Sequence, residues 1–168
     1  MSLLVPLQSV CLIVFVLLLL AAARQDLRSM RIADGFSVAV VATFGVWTLC
    51  GFAGDGPSLA RIGLAVGCAA AVFALGALAF ALGGLGGGDV KLLAASSLFA
   101  GSDLLVEFLT VTALAGGVLG LAVLAGAPIG PTATAGGTSV QTRLRGGLPY
   151  GPAIAVGGLW IAAASAMS

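Results

Sequence analysis

The chain has 168 residues, of which 60% are hydrophobic and only 8% are charged, and its net charge is +1. Soluble domains carry about 25% charged residues, so this composition and a mean hydropathy of +1.20 exclude a water-soluble globule and predict an integral membrane protein. The small net charge gives no reason to expect a nucleic-acid partner.

Apolar runs, separated by charges and by Gly/Pro clusters, predict six membrane-spanning helices in an all-α, polytopic fold. The first run has about 20 residues and no basic segment before it, so we interpret it as a retained span and not as a signal peptide. The second run is slightly short and the fourth is clearly short for a hydrocarbon core of about 30 Å. In chain order the predicted spans are Leu3–Ala23, Phe36–Phe52, Leu59–Leu82, Val90–Gly101, Leu104–Ala125 and Leu148–Met167.

The basic residues support this count, because they are expected to gather in cytoplasmic loops. Only Arg61 lies on the far side of a six-span topology. Without the fourth span Arg143 and Arg145 would also lie outside, so we predict six spans with both termini outside. A polar, Gly/Thr-rich cytoplasmic loop at 126–147 is expected to be mobile and able to cover a site. The basic residues predicted on the cytoplasmic side are Arg24, Arg28, Arg31, Lys91, Arg143 and Arg145.

Two aspartates follow odd-numbered spans at the same membrane face. Asp26 follows the first span and Asp89 the third, so neighbouring helices can bring them together. A carboxylate costs about 2.5–3.5 kcal/mol at the centre of a membrane helix and less at the interface. Asp89 has an alternative interpretation as the N-cap of the fourth span. Asp26 follows a helix C-terminus, where the dipole disfavours an anion, and its alternative is a surface pair with Arg24 or Arg28.

Other charged residues near these aspartates have structural interpretations. Asp34 and Asp103 are predicted to cap the second and fifth spans. Lys91 is interpreted as an anchor whose long side chain reaches the lipid headgroups. The glycine-rich run before Lys91 is not a phosphate loop, because Asp89 stands where an anion would bind and leucine follows the lysine.

A pair of aspartates in this chain predicts aspartic-protease chemistry. The chain contains no histidine, which excludes Ser-His-Asp and Cys-His catalysis. Two close carboxylates do not both ionise easily, so one takes a proton from water while the other hydrogen-bonds the peptide carbonyl and protonates the leaving amine. The sequence leaves open which part Asp26 and Asp89 each play. The glycines around Asp89 would let a substrate backbone come close.

Three stretches match the motifs of one family. GGGDVKLL at 86–93 fits the pattern G-x-G-D-x-K-L. DLRSMRIAD at 26–34 fits an aspartate motif with basic residues and an isoleucine in register, although Ala33-Asp34 replaces the usual Pro-Asn. LPYGPAIAVGG at 148–158 fits the start of the last helix. Together they resemble the type IV prepilin peptidases, a branch of the GxGD intramembrane aspartyl proteases.

The resemblance implies Asp26 and Asp89 as the catalytic pair, and Gly86, Gly88 and Lys91 as substrate-binding or motif residues. It implies no metal and no cofactor. Larger members add a cytoplasmic domain with paired CxxC motifs and an N-methyltransferase activity, for which this chain has no cysteine pairs. The chain is therefore similar to the small peptidases of tight-adherence (Flp) pilus systems and to archaeal preflagellin peptidases.

The implied substrate is a prepilin whose short positive leader precedes a hydrophobic helix. The cut is expected on the cytoplasmic side, after a glycine. We expect a single transmembrane peptidase domain over residues 1–168, located as a multi-pass protein in the inner (cytoplasmic) membrane. The expected partners are the prepilin helix and the lipid bilayer, and association with other pilus assembly proteins is possible. No nucleic-acid partner is expected.

Two other classes of function stay open. A small membrane transporter or channel subunit would use Asp26 and Asp89 as ion or proton ligands, although such acids usually lie near the midplane and often on broken helices. A structural subunit would use its glycine-rich helices for packing and its acids as caps. In that case replacing either aspartate would affect assembly and not turnover.

Overall fold

The computed structural model describes residues 4–52, 57–127 and 149–167. Within these ranges all regular secondary structure is helical, which confirms the predicted all-α fold. Most of the loop predicted at 126–147 lies outside the described residues. The helices are α1 (Leu4–Ser29), α2 (Asp34–Phe52), α3 (Leu59–Ala81), α4 (Gly87–Ala100), α5 (Leu105–Leu124) and α6 (Gly151–Met167).

Four of the described helices, α1, α2, α3 and α5, are long and apolar enough to cross a membrane. α4 has 14 residues and α6 has 17, which at 1.5 Å per residue reach about 21 and about 26 Å of a core of about 30 Å. The fourth helix is therefore short, as predicted. The sixth is shorter than predicted because it begins at Gly151, and α2 is longer because Asp34 and Gly35 already form its first turn.

α1 extends beyond the predicted end of the first span at Ala23 and continues to Ser29. Hydropathy marks the part of a helix that contacts lipid, whereas the backbone hydrogen bonds continue into the polar residues that follow. Met30 then adopts a positive φ of 52°, and its N–H donates to the carbonyl of Asp26 at 2.8 Å. Asp26 therefore belongs to the last turns of α1.

The glycine-rich run after α3 first reverses the chain and then starts α4. The N–H of Gly84 donates to the carbonyl of Ala79 at 2.9 Å, as in a Schellman turn. Gly83 has a φ of 76°, in the left-handed region that favours glycine. Gly86 is the N-cap of α4. The turn thus delivers Asp89 within the first turn of a new helix.

α4 lies at the centre of the bundle and packs against α2, α3, α5 and α6. Nine of its 14 residues are buried. Its buried serines Ser96 and Ser97 each donate to the carbonyl four residues earlier at 2.8 Å. The ring of Phe99 stacks on Phe15 of α1, with ring centroids 4.3 Å apart. Because α4 is surrounded by other helices, it can carry polar residues without exposing them to lipid.

Candidate active site

Asp26 is buried at the end of α1, with 4% of its surface exposed. Its Oδ2 accepts a hydrogen bond of 2.7 Å from the backbone N–H of Gly151. Gly151 is the first residue of α6, so the carboxylate lies at a helix N-terminus, where the dipole favours an anion. The alternative of a surface pair is wrong, since no ion pair joins Asp26 to Arg24 or Arg28, which the structure describes as exposed.

Asp89 is the third residue of α4, and 9% of its surface is exposed. The interpretation of Asp89 as an N-cap is wrong, because Gly86 occupies that position. The backbone N–H of Gly86 instead interacts with the Asp89 carboxylate, which is the reach-back contact of a capping box. The other oxygen, Oδ1, is buried and has no hydrogen-bond partner among the described residues. A negative charge on this unpaired oxygen is costly.

The two carboxylates influence each other electrostatically. Asp89 lies at the start of α4, outside the four long apolar helices. Burial, and after it the negative charge of Asp26, raise the pKa of Asp89 to about 7, although the Gly86 N–H opposes this shift. Asp89 therefore keeps its proton at pH values where an ordinary aspartate has lost it.

A glycine lies next to each carboxylate, and a side chain at either glycine would collide with the neighbouring aspartate. A Cβ atom at Gly86 would lie 2.6 Å from Oδ2 of Asp89. A Cβ atom at Gly151 would lie 2.8 Å from the Cβ of Asp26 and 2.9 Å from its Oδ2. All three distances are shorter than real Cβ contacts, so either substitution would force these atoms to move. The room that these glycines would leave for a substrate backbone stays a prediction.

The start of α4 is held at two places, against the turn between α1 and α2 and against the first residue of α2. A Cβ atom at Gly88 would lie 2.8 Å from the carbonyl oxygen of Ile32, so only glycine permits this approach. Lys91 Nζ forms an ion pair of 2.8 Å with Oδ2 of Asp34, and the two side chains are 46% and 67% exposed. Lys91 thus has a protein partner where a headgroup anchor was predicted. Asp34 is the first residue of α2 and not its N-cap.

The acids near the start of α5 lie at the other end of α4, away from the aspartate pair. The predicted cap at Asp103 is wrong, because Leu104 is the N-cap. Asp103 accepts a hydrogen bond of 3.0 Å from Ser102 Oγ. Glu107 accepts one of 2.9 Å from Trp160 Nε1. Among the described residues no three His, Cys, Asp or Glu side chains lie close enough together to hold a metal ion.

Sequence reasoning missed Gly151 and Asp34 as partners of the predicted site residues. Gly151 contributes a backbone N–H, which leaves no side-chain pattern to detect. The pairing of Asp34 with Lys91 had a signal, since opposite charges were predicted at the same membrane face.

The arrangement suits the activation of water. One carboxylate accepts a backbone hydrogen bond at a helix N-terminus, and the neighbouring carboxyl keeps a proton near neutral pH. The first can accept a proton from water, and the second can donate its proton to a leaving group.

Comparison with models of protein families identifies the family to which the chain belongs. The model of the type IV leader peptidase family matches residues 13–121, well over half of the chain. The matched range includes Asp26 and Asp89 and ends before α6. No curated protein and no solved structure matched the chain. The chain, a bundle of apolar helices typical of a multi-pass membrane protein, belongs to the type IV leader peptidase family.

Proposed function

We propose that the protein is an aspartic endopeptidase that removes the short leader of a type IV prepilin, of the tight-adherence (Flp) kind, at the cytoplasmic face of the inner membrane. Asp26 and Asp89 are its catalytic pair. Membership of the leader peptidase family supports the reaction class. The observation that carries the proposal is that two buried carboxyl groups, Asp26 near the end of α1 and Asp89 at the start of α4, lie close enough for the charge of Asp26 to raise the pKa of Asp89.

The reaction follows from this pair. The ionised carboxylate takes a proton from water while the water oxygen attacks the scissile carbonyl carbon. The protonated carboxyl hydrogen-bonds the carbonyl oxygen, which becomes negative in the tetrahedral intermediate. That intermediate collapses as the C–N bond breaks, and the leaving nitrogen receives the proton.

The position of the pair along the helices supports a substrate cut at the membrane surface. Asp26 lies near the C-terminal end of α1 and Asp89 near the N-terminal end of α4. A prepilin presents its scissile bond just before its hydrophobic helix, which brings that bond to the depth of helix ends. Acids that serve as transport ligands usually lie near the midplane, so this position disfavours a transporter.

The proposal is tested by co-expressing the protein with a candidate Flp-type prepilin and following leader removal by gel shift and mass. Asp26→Asn and Asp89→Asn are expected to abolish cleavage at unchanged membrane levels. Asp103→Asn is the matched control, because that exposed side chain lies at the other end of α4. Normal processing by either site variant would show that the pair is not catalytic. Loss of membrane insertion in both would favour the structural subunit.

A further inference from the structure

Gly151 contacts the site from outside the part of the chain that matches the family. Its N–H donates to Oδ2 of Asp26, 125 residues away, in a buried hydrogen bond of 2.7 Å. Bonds between N–H donors and ionised oxygens are commonly about 2.7–2.9 Å long in their charge-assisted form. The first N–H groups of a helix have no acceptor within it. The start of α6 therefore supplies a donor and a favourable dipole to one carboxylate of the pair.

Asp89 has weaker compensation for a negative charge. Its Oδ1 is buried and without a hydrogen-bond partner among the described residues. The nearest cation in the sequence, Lys91, is bound to Asp34 at the surface. An unpaired buried oxygen costs less when the carboxyl is neutral. The raised pKa of Asp89 agrees with this asymmetry.

The other charged residues around the pair do not reverse this asymmetry between Asp26 and Asp89. α6 carries no charged residue, and α2 carries only Asp34. α3 carries only Arg61 and α5 only Glu107, each near the start of its helix and away from the pair. Arg24, Arg28 and Arg31 are exposed, whereas both carboxyl groups of the pair are buried.

The N-terminal ends of α6 and α4 favour an anion at Asp26 and Asp89, and the C-terminal end of α1 opposes one at Asp26. Each carboxylate also meets a backbone N–H, that of Gly151 at 2.7 Å for Asp26 and that of Gly86 for Asp89. The difference in favour of a charged Asp26 therefore comes from the buried, unpaired Oδ1 of Asp89.

We infer that Gly151 is a positioning residue whose backbone N–H holds Asp26 as the ionised member of the pair and leaves the proton on Asp89. Asp26 is then the group that takes a proton from water, and Asp89 the group that protonates the leaving amine. This division of roles rests on the proposed peptidase function, whereas the ionisation states do not. Glycine is required because a Cβ atom at this position would strike Asp26.

The ionisation states can be read without any substrate. The full chain is labelled with carboxyl-¹³C aspartate and ¹⁵N glycine, placed in lipid nanodiscs and followed by NMR across pH. Asp26→Asn and Asp89→Asn assign the two buried carboxyl signals. We expect Asp26 to lose its proton at a lower pH than Asp89. We also expect the Gly151 amide signal to follow the titration of Asp26.

Gly151→Ala tests the positioning role. The added Cβ displaces the Asp26 carboxylate from the N–H, so the titration of Asp26 should move to higher pH. kcat for leader removal should fall about ten- to a hundredfold, the usual effect of a misplaced reacting group, with KM little changed. Gly63→Ala is the matched control, because a Cβ atom there meets nothing within 4 Å. A merely structural role would lower the folded fraction and leave the titration in place.

Two results would overturn the inference. One is that Asp89 loses its proton at a lower pH than Asp26, and the other is that the Gly151 amide signal does not change as Asp26 titrates. Both are measured on the unaltered protein, so they decide the question even if Gly151→Ala does not fold. If the titrations come out as expected but no prepilin is cleaved, the peptidase proposal fails and the assignment of charge stands.

Discussion

α3 and α4 follow one another through a single glycine-rich turn, yet their surroundings differ. α3 has 23 residues, is mostly exposed, and has the length to cross a membrane. α4 has 14 residues, most of them buried, and carries Asp89. The long helix presents its surface to lipid, while the short one is enclosed by protein. A carboxyl group is tolerated where protein groups surround it, so of these two helices the one that is too short to span is the one that carries a buried acid.

The exposed glycines of α3 and the glycines around Asp89 show the same difference, whereas Gly76 of α3 faces α4, where a Cβ atom would lie 2.8 Å from Val90 Cγ1. Gly63 and Gly67 in α3 would meet nothing within 4 Å if they carried a Cβ atom. Gly86 and Gly88 at the start of α4 would meet a carboxylate and a backbone carbonyl. The same substitution, glycine to alanine, therefore measures how tightly each place is packed.

Gly88→Ala should have the largest effect. Its Cβ atom would lie 2.8 Å from the carbonyl oxygen of Ile32, and backbone atoms cannot turn aside as a side chain can. We expect a loss of about 1–3 kcal/mol in unfolding free energy, typical of overpacking, together with loss of leader cleavage. Thermal unfolding in detergent and the cleavage assay measure the two effects. Gly67→Ala is the control, and equal damage in both variants would refute the contrast between the helices.

Gly86→Ala should reduce activity with a smaller loss of stability. The new Cβ atom would meet Oδ2 of Asp89 at 2.6 Å, and this oxygen is at the end of a side chain that can rotate away. The fold can then adjust, but the carboxyl group is displaced from its position beside Asp26. We expect kcat to fall by about a hundredfold, as for other small misplacements of reacting groups. A variant that is inactive only because it is unfolded would contradict this account.

The pKa of Asp89, about 7, predicts a pH dependence with a definite sign. Its ordinary pKa is 3.8, so between these values the folded protein binds more protons than the unfolded chain. The free energy of unfolding should therefore fall as pH rises from about 4 to about 7 and level off above it. As a general acid, Asp89 should also lose effectiveness as pH rises through 7, lowering kcat/KM about tenfold per unit.

Asp89→Asn provides the check on stability, because an amide does not titrate. Thermal unfolding of this variant should show a flatter dependence on pH between about 4 and about 7 than the unaltered protein. An unchanged slope would show that other groups cause it. The kcat/KM profile is measured on the unaltered protein, since the variant is expected to be inactive.

Local composition was enough to predict the helices and to single out the two aspartates as site candidates. An apolar run, and a charged residue beside it, can be recognised in the sequence without any tertiary structure. The ends of the helices were predicted less accurately. Hydropathy placed the end of the first span at Ala23, while α1 continues to Ser29. It also placed Asp89 before a helix that in fact contains it. Hydropathy reports contact with lipid, and hydrogen bonding within a helix continues beyond that contact.

The partners of the site residues depend on tertiary structure and were not predicted. The bond from Gly151 to Asp26 joins residues 125 apart and uses a backbone group that nearly every residue has. Burial of the Asp89 Oδ1 without a partner depends on how α4 is enclosed. These two facts distinguish the carboxyl groups from each other, which the matching motifs of the sequence could not do.

The ion pair of Lys91 and Asp34 should have the smallest effect, since exposed pairs contribute roughly 0.2–1 kcal/mol. Lys91→Met and Asp34→Asn should each lower kcat by no more than about fivefold, and the double variant should be no worse than either single one. Exchange of the two charges, Asp34→Lys with Lys91→Asp, should recover part of the loss, and salt should weaken the effect. If Lys91→Met abolished cleavage while Asp34→Asn did not, the lysine would act on the substrate and not through Asp34. Lys91 would then take part in catalysis, as the neighbouring carboxyl groups are proposed to do, and would not merely join α4 to α2.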